Sequence, residues 1–387
     1  MGKHEVKETK KKLPKKSTKK EAKKPEAEAI AQTESLDIYS SQKKADKANG
    51  KKKKKILIIV LSIVLAVCVL IGGALIWAVN YFDYNQVDVD HENLDVNTEN
   101  SQAHIVNIAL FGIDTRNANS MKGLSDSIMV LSVNKETKQI KIISVMRDSV
   151  VRIDDRVNKI NSAYSKGGAE LAIRTLNRNF GLDITDYATV NFGGMAELID
   201  KVGGVECDVT WGEIQNEVYG VNAIIKEISR IYGVTPQYVK KAGKQTLNGI
   251  QATSWSRIRM VSTANGERDD YGRTARQRHV LNQLFEKAKN MSITQYPSFI
   301  KSFLPHVETS LTYSEIFSLA TAVLQGGTLT STRIPYDNCN IPGGGGVPGG
   351  VYYSLDFASK LISSYIYEDI TFDDYIAANG IDKTPWN

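Results

Sequence analysis

The chain reads as a layered α/β or α+β domain with a central sheet, carried behind one transmembrane helix. Three observations lead there. From Ile105 onward, short β-branched runs alternate with segments of helical spacing. Ile56–Val79 is a stretch of 24 residues without a charge. Charge is also sorted along the chain. Residues 1–55 hold 19 Lys/Arg against 8 Asp/Glu, leaving +11, while the remaining 30 against 35 leave −5.

The uncharged run comes first. At 1.5 Å per residue it spans about 36 Å, enough for a hydrocarbon core of about 30 Å. A cleaved signal peptide fits less well, because the run exceeds the usual 7–15 residues and no A-x-A-like site follows it. An uncleaved signal anchor is the better reading. Trp77, Tyr81, Phe82 and Tyr84 stand at its far end, where amphipathic rings favour the interface. Lys51–Lys55 abut the near end and Asp83, Asp88 and Asp90 follow the far end, so the N-terminus is expected in the cytoplasm and the rest outside the cell. The lysine-rich tail, residues 1–55, is too polar to fold. Its lysines either touch anionic lipid or serve only as a topology signal. Three Cys and five His argue against a disulfide scaffold and against a zinc enzyme. Basic charge confined to the tail, ahead of an outward-facing acidic domain, excludes nucleic acid as a partner.

Residues 80–103 read as a polar extracellular stalk. IVNIALFG, SIMVLSV and QIKIISV then read as strands. Lys166–Phe180 has helical spacing, with apolar Leu171, Ile173, Leu176 and Phe180. A strand at Tyr187–Asn191, a helix at Met195–Val202 and a strand at Val205–Val209 continue the alternation. Asn222–Ile231, Thr274–Ala288 and Tyr313–Leu324 are predicted helices. Gly343–Gly350 (GGGGVPGG) is a turning or flexible loop within residues 291–387, a C-terminal continuation of the outer domain whose residues 325–387 carry no assignable motif.

Charged residues gather at strand ends, where α/β sheets collect their ligands. Asp114 follows the first strand, Asp126 opens the second, and Arg147 ends the third. Carboxylate oxygens bind Mg²⁺, which keeps waters and bridges to phosphate. Arginine forks bind phosphate oxygens in pairs. Asp is equally ordinary in turns, so this set alone stays ambiguous. A second cluster adds weight. Arg257 and Arg259 share a face if extended, and Arg273, Arg276 and Gln277 share one helical face at i, i+3 and i+4. On a net-acidic domain beside a bilayer, these guanidiniums suit a pyrophosphate or sugar phosphate, although a solvated basic face remains the alternative.

The stretches NIALFGIDTR, LSDSIMVLSVN, IISVMRDSVV, KINSAYSKGG, VNFGGMAELIDKVGGVECDV, LNGIQATSWSRIR and DDYGRTARQRHVLNQLF occur in that order. Together they resemble the catalytic domain of the LytR-CpsA-Psr family of cell-wall glycopolymer ligases, over nearly half the chain. The resemblance implies an α-β-α layered fold, a central mostly antiparallel or mixed sheet with helices on both faces, over residues 104–290. It also implies a hydrophobic pocket for a polyprenyl chain. The implied reaction is transfer of a glycopolymer (teichoic acid, capsule or a related polysaccharide) from a polyprenyl-pyrophosphate carrier to peptidoglycan, releasing polyprenyl phosphate. The implied setting is the membrane of a Gram-positive-type envelope.

The implied roles follow motif by motif. Asp114 and Asp126 hold Mg²⁺, or Mn²⁺ in its place. Arg147, Arg257, Arg259, Arg273 and Arg276 grip the pyrophosphate, with Gln277 beside them. Arg147, Asp270 and Arg273 act in catalysis, Asp270 as a polar group or general base. Lys159 and Asn161 match a tract whose role is not separable from packing. Phe111, Ile128, Val130 and Leu198 either line the lipid pocket or are ordinary core. Trp255 stands where relatives carry tyrosine. Cys207 and Cys339 face an oxidising exterior and could pair there, while Cys68 lies in the membrane run as a small apolar residue. Two rivals remain: a wall- or lipid-binding regulatory protein without turnover, and a polyprenyl-pyrophosphate hydrolase.

Overall fold

The computed structural model describes residues 85–381, apart from 100, 116–119, 293, 325–326, 338, 340 and 342–344. The expected tail (1–55) and transmembrane helix (56–79) lie outside the described residues. Among the described residues, no helix is long and apolar enough to cross a membrane.

In chain order the elements are β1 (Asn85–Gln86), β2 (Ile105–Asp114), β3 (Leu124–Asn134), β4 (Gln139–Val145), β5 (Val150–Ile153), β6 (Arg156–Lys159), α1 (Asn161–Phe180), β7 (Asp186–Asn191) and α2 (Phe192–Lys201). There follow β8 (Val205–Val209), α3 (Trp211–Gln215), α4 (Val221–Tyr232), β9 (Gly243–Leu247), α5 (Gly249–Trp255) and α6 (Asp269–Lys289). The chain continues through α7 (Tyr296–Phe303), β10 (Val307–Thr309), α8 (Tyr313–Leu324), β11 (Thr328–Ile334), α9 (Leu355–Tyr367) and α10 (Phe372–Ala378).

The main sheet runs β1-β10-β7-β2-β3-β4-β11 and is mixed. β2, β3 and β4 form an antiparallel meander, while β7 joins β2 and β11 joins β4 in parallel. The β3–β4 turn is closed by Asn134, whose Oδ1 accepts from Glu136 N at 2.9 Å and Thr137 N at 3.0 Å, a local Asx bond that favours turning. The parallel β2–β7 pair needs a crossover, and α1 supplies it. That helix starts earlier than its apolar spacing suggests and is kinked at Gly167 and Gly168. It stops at Gly181, whose left-handed φ of 65° lets its N–H return to Asn177 O.

Strand alternation sends side chains to two cores. Ala109, Phe111 and Ile113 of β2 and Ile128 and Val130 of β3 pack with Ile173, Leu176 and Phe180 of α1 and Leu361 and Ile362 of α9. Tyr164 lays its ring 5.1 Å from that of Phe111 and donates to Thr189 Oγ1 at 3.0 Å. A second core joins α2, α4, α5 and α6 to the β8–β9 pair through Ile199, Cys207, Ile225, Trp255 and Val280.

One expectation changes here. Part of the stalk lies on the domain: β1 pairs with β10, Leu94 is fully buried in the first core, and Asn97 N donates to Leu182 O at 2.9 Å. One buried leucine and a two-residue strand in a polar stretch leave no periodic pattern to read. The C-terminal stretch is integral, since β10 and β11 join the main sheet and α9 and α10 complete the first core.

Phe111→Ala should cost about 3–5 kcal/mol in a denaturant titration, because its ring is buried against Tyr164. Val157→Ala, 58% exposed, should stay within about 0.5 kcal/mol of the parent.

Candidate active site

The site forms where the β2–β3 pair ends. Asp114 pairs with Leu124 and Ile113 with Ser125, yet Gly112 pairs with Ser127, so Asp126 is the extra residue of a β-bulge. Bulges re-aim the side chain they carry. Gly112 permits this one, since a Cβ there would lie 2.8 Å from Ser127 Cβ. β4 runs antiparallel to β3, so the residues after its C-terminal end arrive beside Asp126. Arg147 Nη1 donates to Asp126 Oδ2 at 2.5 Å.

The segment after α5 and the first turns of α6 bring the remaining charges. Arg257 Nη2 donates to Asp114 Oδ2 at 3.3 Å, and its guanidinium lies 4.0 Å over the Phe192 ring. Arg259 Nε is 2.7 Å from Asp270 Oδ1. Arg273, only 3% exposed, reaches Asp126 at 3.6 Å and Asp270 at 3.5 Å. Burial pulls Arg273 down to about 10, an effect that Asp270 opposes and Arg147 reinforces. For Arg147, burial acts the same way, but the charges of Asp126, Asp270 and Asp148 outweigh it and leave the group raised.

Beneath these charges is a cavity of about 460 Å³ between the sheet and helices α2, α5 and α6. Leu110, Met129, Ala188, Val190, Val280 and Leu281 line its apolar part, and Arg147, Arg257, Arg259, Arg273 and Gln277 border its charged part. Leu198 lines it and Phe111 borders it, whereas Ile128 and Val130 lie in the first core.

Arg276 is not among the lining residues. Its Nε donates to Glu213 Oε1 at 2.7 Å, and its other nitrogens donate to Ile258 O at 3.0 Å and Val261 O at 2.8 Å. Both partners of this pair are essentially solvent-free, at 1% and 0% exposure. Helical spacing put Arg276 on a face with Arg273, but the two diverge by about 60° around the axis, enough to send one guanidinium to the cavity and the other into the core. Glu213 is fixed by a capping box with Thr210 and gives no signal in the sequence beyond that cap.

Asp148 was not anticipated. It bonds Lys159 Nζ at 3.0 Å and lies 3.5 Å from Arg147 Nε. Burial works to raise its carboxyl, yet hydrogen bonds with Asp270 and Lys159 and the Arg147 charge hold it below the usual range. Its position directly after Arg147 at a strand end was the available clue. Asn161 is buried, and its N–H donates to Arg147 O at 3.2 Å. The end of the Gly-rich stretch lies nearby: Val351 N donates to Asp148 O at 2.8 Å, and a Cβ on Gly349 would lie 3.2 Å from Lys159 Nζ. Cys207 and Cys339 do not pair. Both are buried, Cys207 in the second core and Cys339 with its Sγ donating to Asp337 O at 3.5 Å. Burial pushes the Cys207 thiol up to about 12.

Fold and site together define a sheet-based domain with an apolar cavity closed at one end by a guanidinium–carboxylate cluster. The chain belongs to the LytR_cpsA_psr family, whose pattern matches residues 78–358. It is 27% identical to the polyisoprenyl-teichoic acid–peptidoglycan teichoic acid transferase TagV of Bacillus subtilis (strain 168), over 80% of this chain and 77% of that protein. It is 30% identical to the transferase TagU of Enterococcus faecalis, over 70% of this chain and 84% of that one. Among solved structures it resembles that of B. subtilis TagV, with TM-score 0.52, 24% identity, and 69% and 99% of the two chains covered. It also resembles TagT with bound octaprenyl pyrophosphate lipid, with TM-score 0.51, 17% identity and coverage of 73% and 100%. These likenesses establish the fold.

Arg276→Ala should lower folding stability by about 3–5 kcal/mol, since it strands a buried carboxylate. Arg257→Ala, at a partly exposed pair, should cost no more than about 1 kcal/mol. Thermal or denaturant unfolding compares the two. In a Cys68→Ala background, unreduced denatured protein should titrate two thiols with an aromatic disulfide reagent; none would mean that Cys207 and Cys339 are bridged.

Proposed function

We propose that the protein is a membrane-anchored phosphotransferase. It would move a glycopolymer, such as teichoic acid or capsular polysaccharide, from a polyprenyl-pyrophosphate carrier to peptidoglycan and release polyprenyl phosphate. The observation that carries this reading is the continuity of the apolar cavity with the arginine cluster, a shape that suits a lipid chain ending in a pyrophosphate. The relatives TagV and TagU are named polyisoprenyl-teichoic acid–peptidoglycan teichoic acid transferases, which supports this reading.

The residues present fit a Mg²⁺ ion, or Mn²⁺ in its place. Asp126 Oδ1 is buried and has no hydrogen-bond partner, while its Oδ2 is held by Arg147. Asp114 is likewise held through Oδ2, by Arg257. Among the described residues no group of three or more His, Cys, Asp or Glu could hold a metal. Two carboxylates completed by phosphate oxygens and waters is the ordinary arrangement for Mg²⁺. When bound, such an ion supplies positive charge to the phosphoryl oxygens.

The chain's own residues account for the rest. Arg147 Nε, Arg257 Nη1 and Arg273 Nε and Nη2 are buried without a hydrogen bond, so donors stand ready for phosphate oxygens. Phosphoryl transfer spreads negative charge over those oxygens, and preformed donors stabilise it without reorganising. A sugar hydroxyl of the acceptor attacks the sugar-side phosphorus, the P–O bond to polyprenyl phosphate breaks, and the hydroxyl proton passes to the departing phosphate or to water. Asp270 is surrounded by Arg147, Arg259 and Arg273. That setting favours orienting guanidiniums over collecting the hydroxyl proton.

The test is release of polyprenyl phosphate from a polyprenyl-pyrophosphate oligosaccharide by the full-length chain in detergent micelles, with peptidoglycan fragments as acceptor. Release should need Mg²⁺, stop with a chelator, and fall at least about 10²-fold in Asp126→Ala and Arg147→Ala. Sugar should appear on the fragments. Release indifferent to both substitutions would sink the assignment, and release without joining would make the protein a hydrolase.

A further inference from the structure

Helix α2 separates two cavities. Phe192, Met195 and Leu198 face the apolar one, while Gly193, Gly194, Ala196, Glu197 and Asp200 face a second, of about 670 Å³. Asn191, the N-cap of α2, borders both. Met121, from the connection between β2 and β3, also lines the second cavity, and Asn191 Nδ2 donates to the neighbouring Ser120 O at 3.4 Å. The groove therefore starts beside the strand end that carries Asp114.

Its walls are mixed, with Met121, Val234, Ile250 and Pro305 interleaved among polar groups. Ser229, Tyr232, Gln237, Asn248 and His306 line it, with Glu197 and Asp200, and no Lys or Arg is among the lining residues. Tyr232 Oη accepts from Gly193 N at 2.6 Å, and a Cβ on Gly193 would lie 2.3 Å from that ring, so the bare glycine seats the tyrosine. Burial raises the Tyr232 hydroxyl, while the Gly193 bond and the Arg257 charge act the other way; Phe192, the residue before Gly193, lies under Arg257, which sets this wall next to the guanidinium cluster. Ser229 is 1% exposed, and its Oγ is buried without a hydrogen-bond partner.

A polyanion is repelled by two carboxylates with no cation to balance them. A polyprenyl tail is no better suited to amides, hydroxyls and carboxylates. Sugar hydroxyls donate and accept at once, and match such a mixed lining beside an aromatic ring. We infer that this groove seats an uncharged stretch of glycan next to the reacting phosphates. The inference rests on the transfer reading and deepens it: the groove holds either the acceptor strand or the sugars of the donor nearest the lipid.

The experiment titrates the full-length chain in micelles with a tetramer of β-1,4-linked N-acetylglucosamine, following the heat of binding. Binding is expected to persist when sugar-free polyprenyl pyrophosphate fills the apolar cavity. With glycan-bearing polyprenyl pyrophosphate, persistence assigns the groove to the acceptor and loss assigns it to the donor sugars. Glu197→Gln and His306→Ala should each weaken the tetramer roughly tenfold while leaving sugar-free lipid binding unchanged. No tetramer binding, binding indifferent to both substitutions, or tighter binding of a glycerol phosphate oligomer would overturn the inference. Polyprenyl phosphate release, measured on the same samples, separates the two ideas. Release without tetramer binding sinks the groove alone, and tetramer binding without release sinks the transfer reading alone.

Discussion

Charge packed at the end of an apolar cavity is the constraint on which the rest of this structure depends. Guanidiniums of Arg147, Arg259 and Arg273 crowd around Asp126, Asp148 and Asp270, all with little access to water except Arg259, which is 38% exposed. Burying either sign alone would be prohibitive, and like charges at these separations repel. The carboxylates make the arginines tolerable, and the arginines make the carboxylates tolerable. Neither set saturates the other, because several guanidinium nitrogens and one oxygen of Asp126 keep no hydrogen-bond partner. In the proposed reaction these unpartnered donors would meet the pyrophosphate oxygens without the site first being rebuilt.

That cluster explains why the fold needs both of its cores. The first, under α1 and α9, fixes the faces of β2 and β3 and so the position of the bulge that presents Asp126. The second fixes α5, α6 and the segment between them, from which Arg257, Arg259 and Arg273 come. Arg276 belongs to this support. Its contacts to Glu213, Ile258 O and Val261 O tie α6 to α3 and to the segment that carries Arg257 and Arg259. A guanidinium spent on framework holds the other guanidiniums at the cavity.

Much of this was legible in the sequence, and the failures have physical causes. Strands β2, β3 and β4 announce themselves because β-branched runs between turn residues have few other uses. The charges at their ends were readable for the same reason, since a strand end is a defined place. β5 and β6 were not, because each is four residues long and Arg156–Lys159 is polar with none of its residues buried, leaving no hydrophobic alternation. Arg276 and Arg273 could not be told apart by spacing, as their fates depend on Glu213, 60 or more residues away. Asp148 was hidden by its neighbour: beside Arg147 it reads as half of a local pair, and only the fold brings Lys159 and Asp270 to it.

Helix α2 shows how one short element can serve two chemistries. A helix has room for an apolar stripe and a polar one, and here the apolar stripe faces the apolar cavity while glycines and carboxylates face the second cavity. Its N-terminus meets the guanidinium cluster at Phe192, which lies under Arg257. In the proposed transfer a lipid tail and a sugar chain have opposite needs for solvent, yet both would have to converge on one pyrophosphate. A partition one helix thick satisfies that requirement, because it keeps the two environments apart along its length and lets them converge at its first turn.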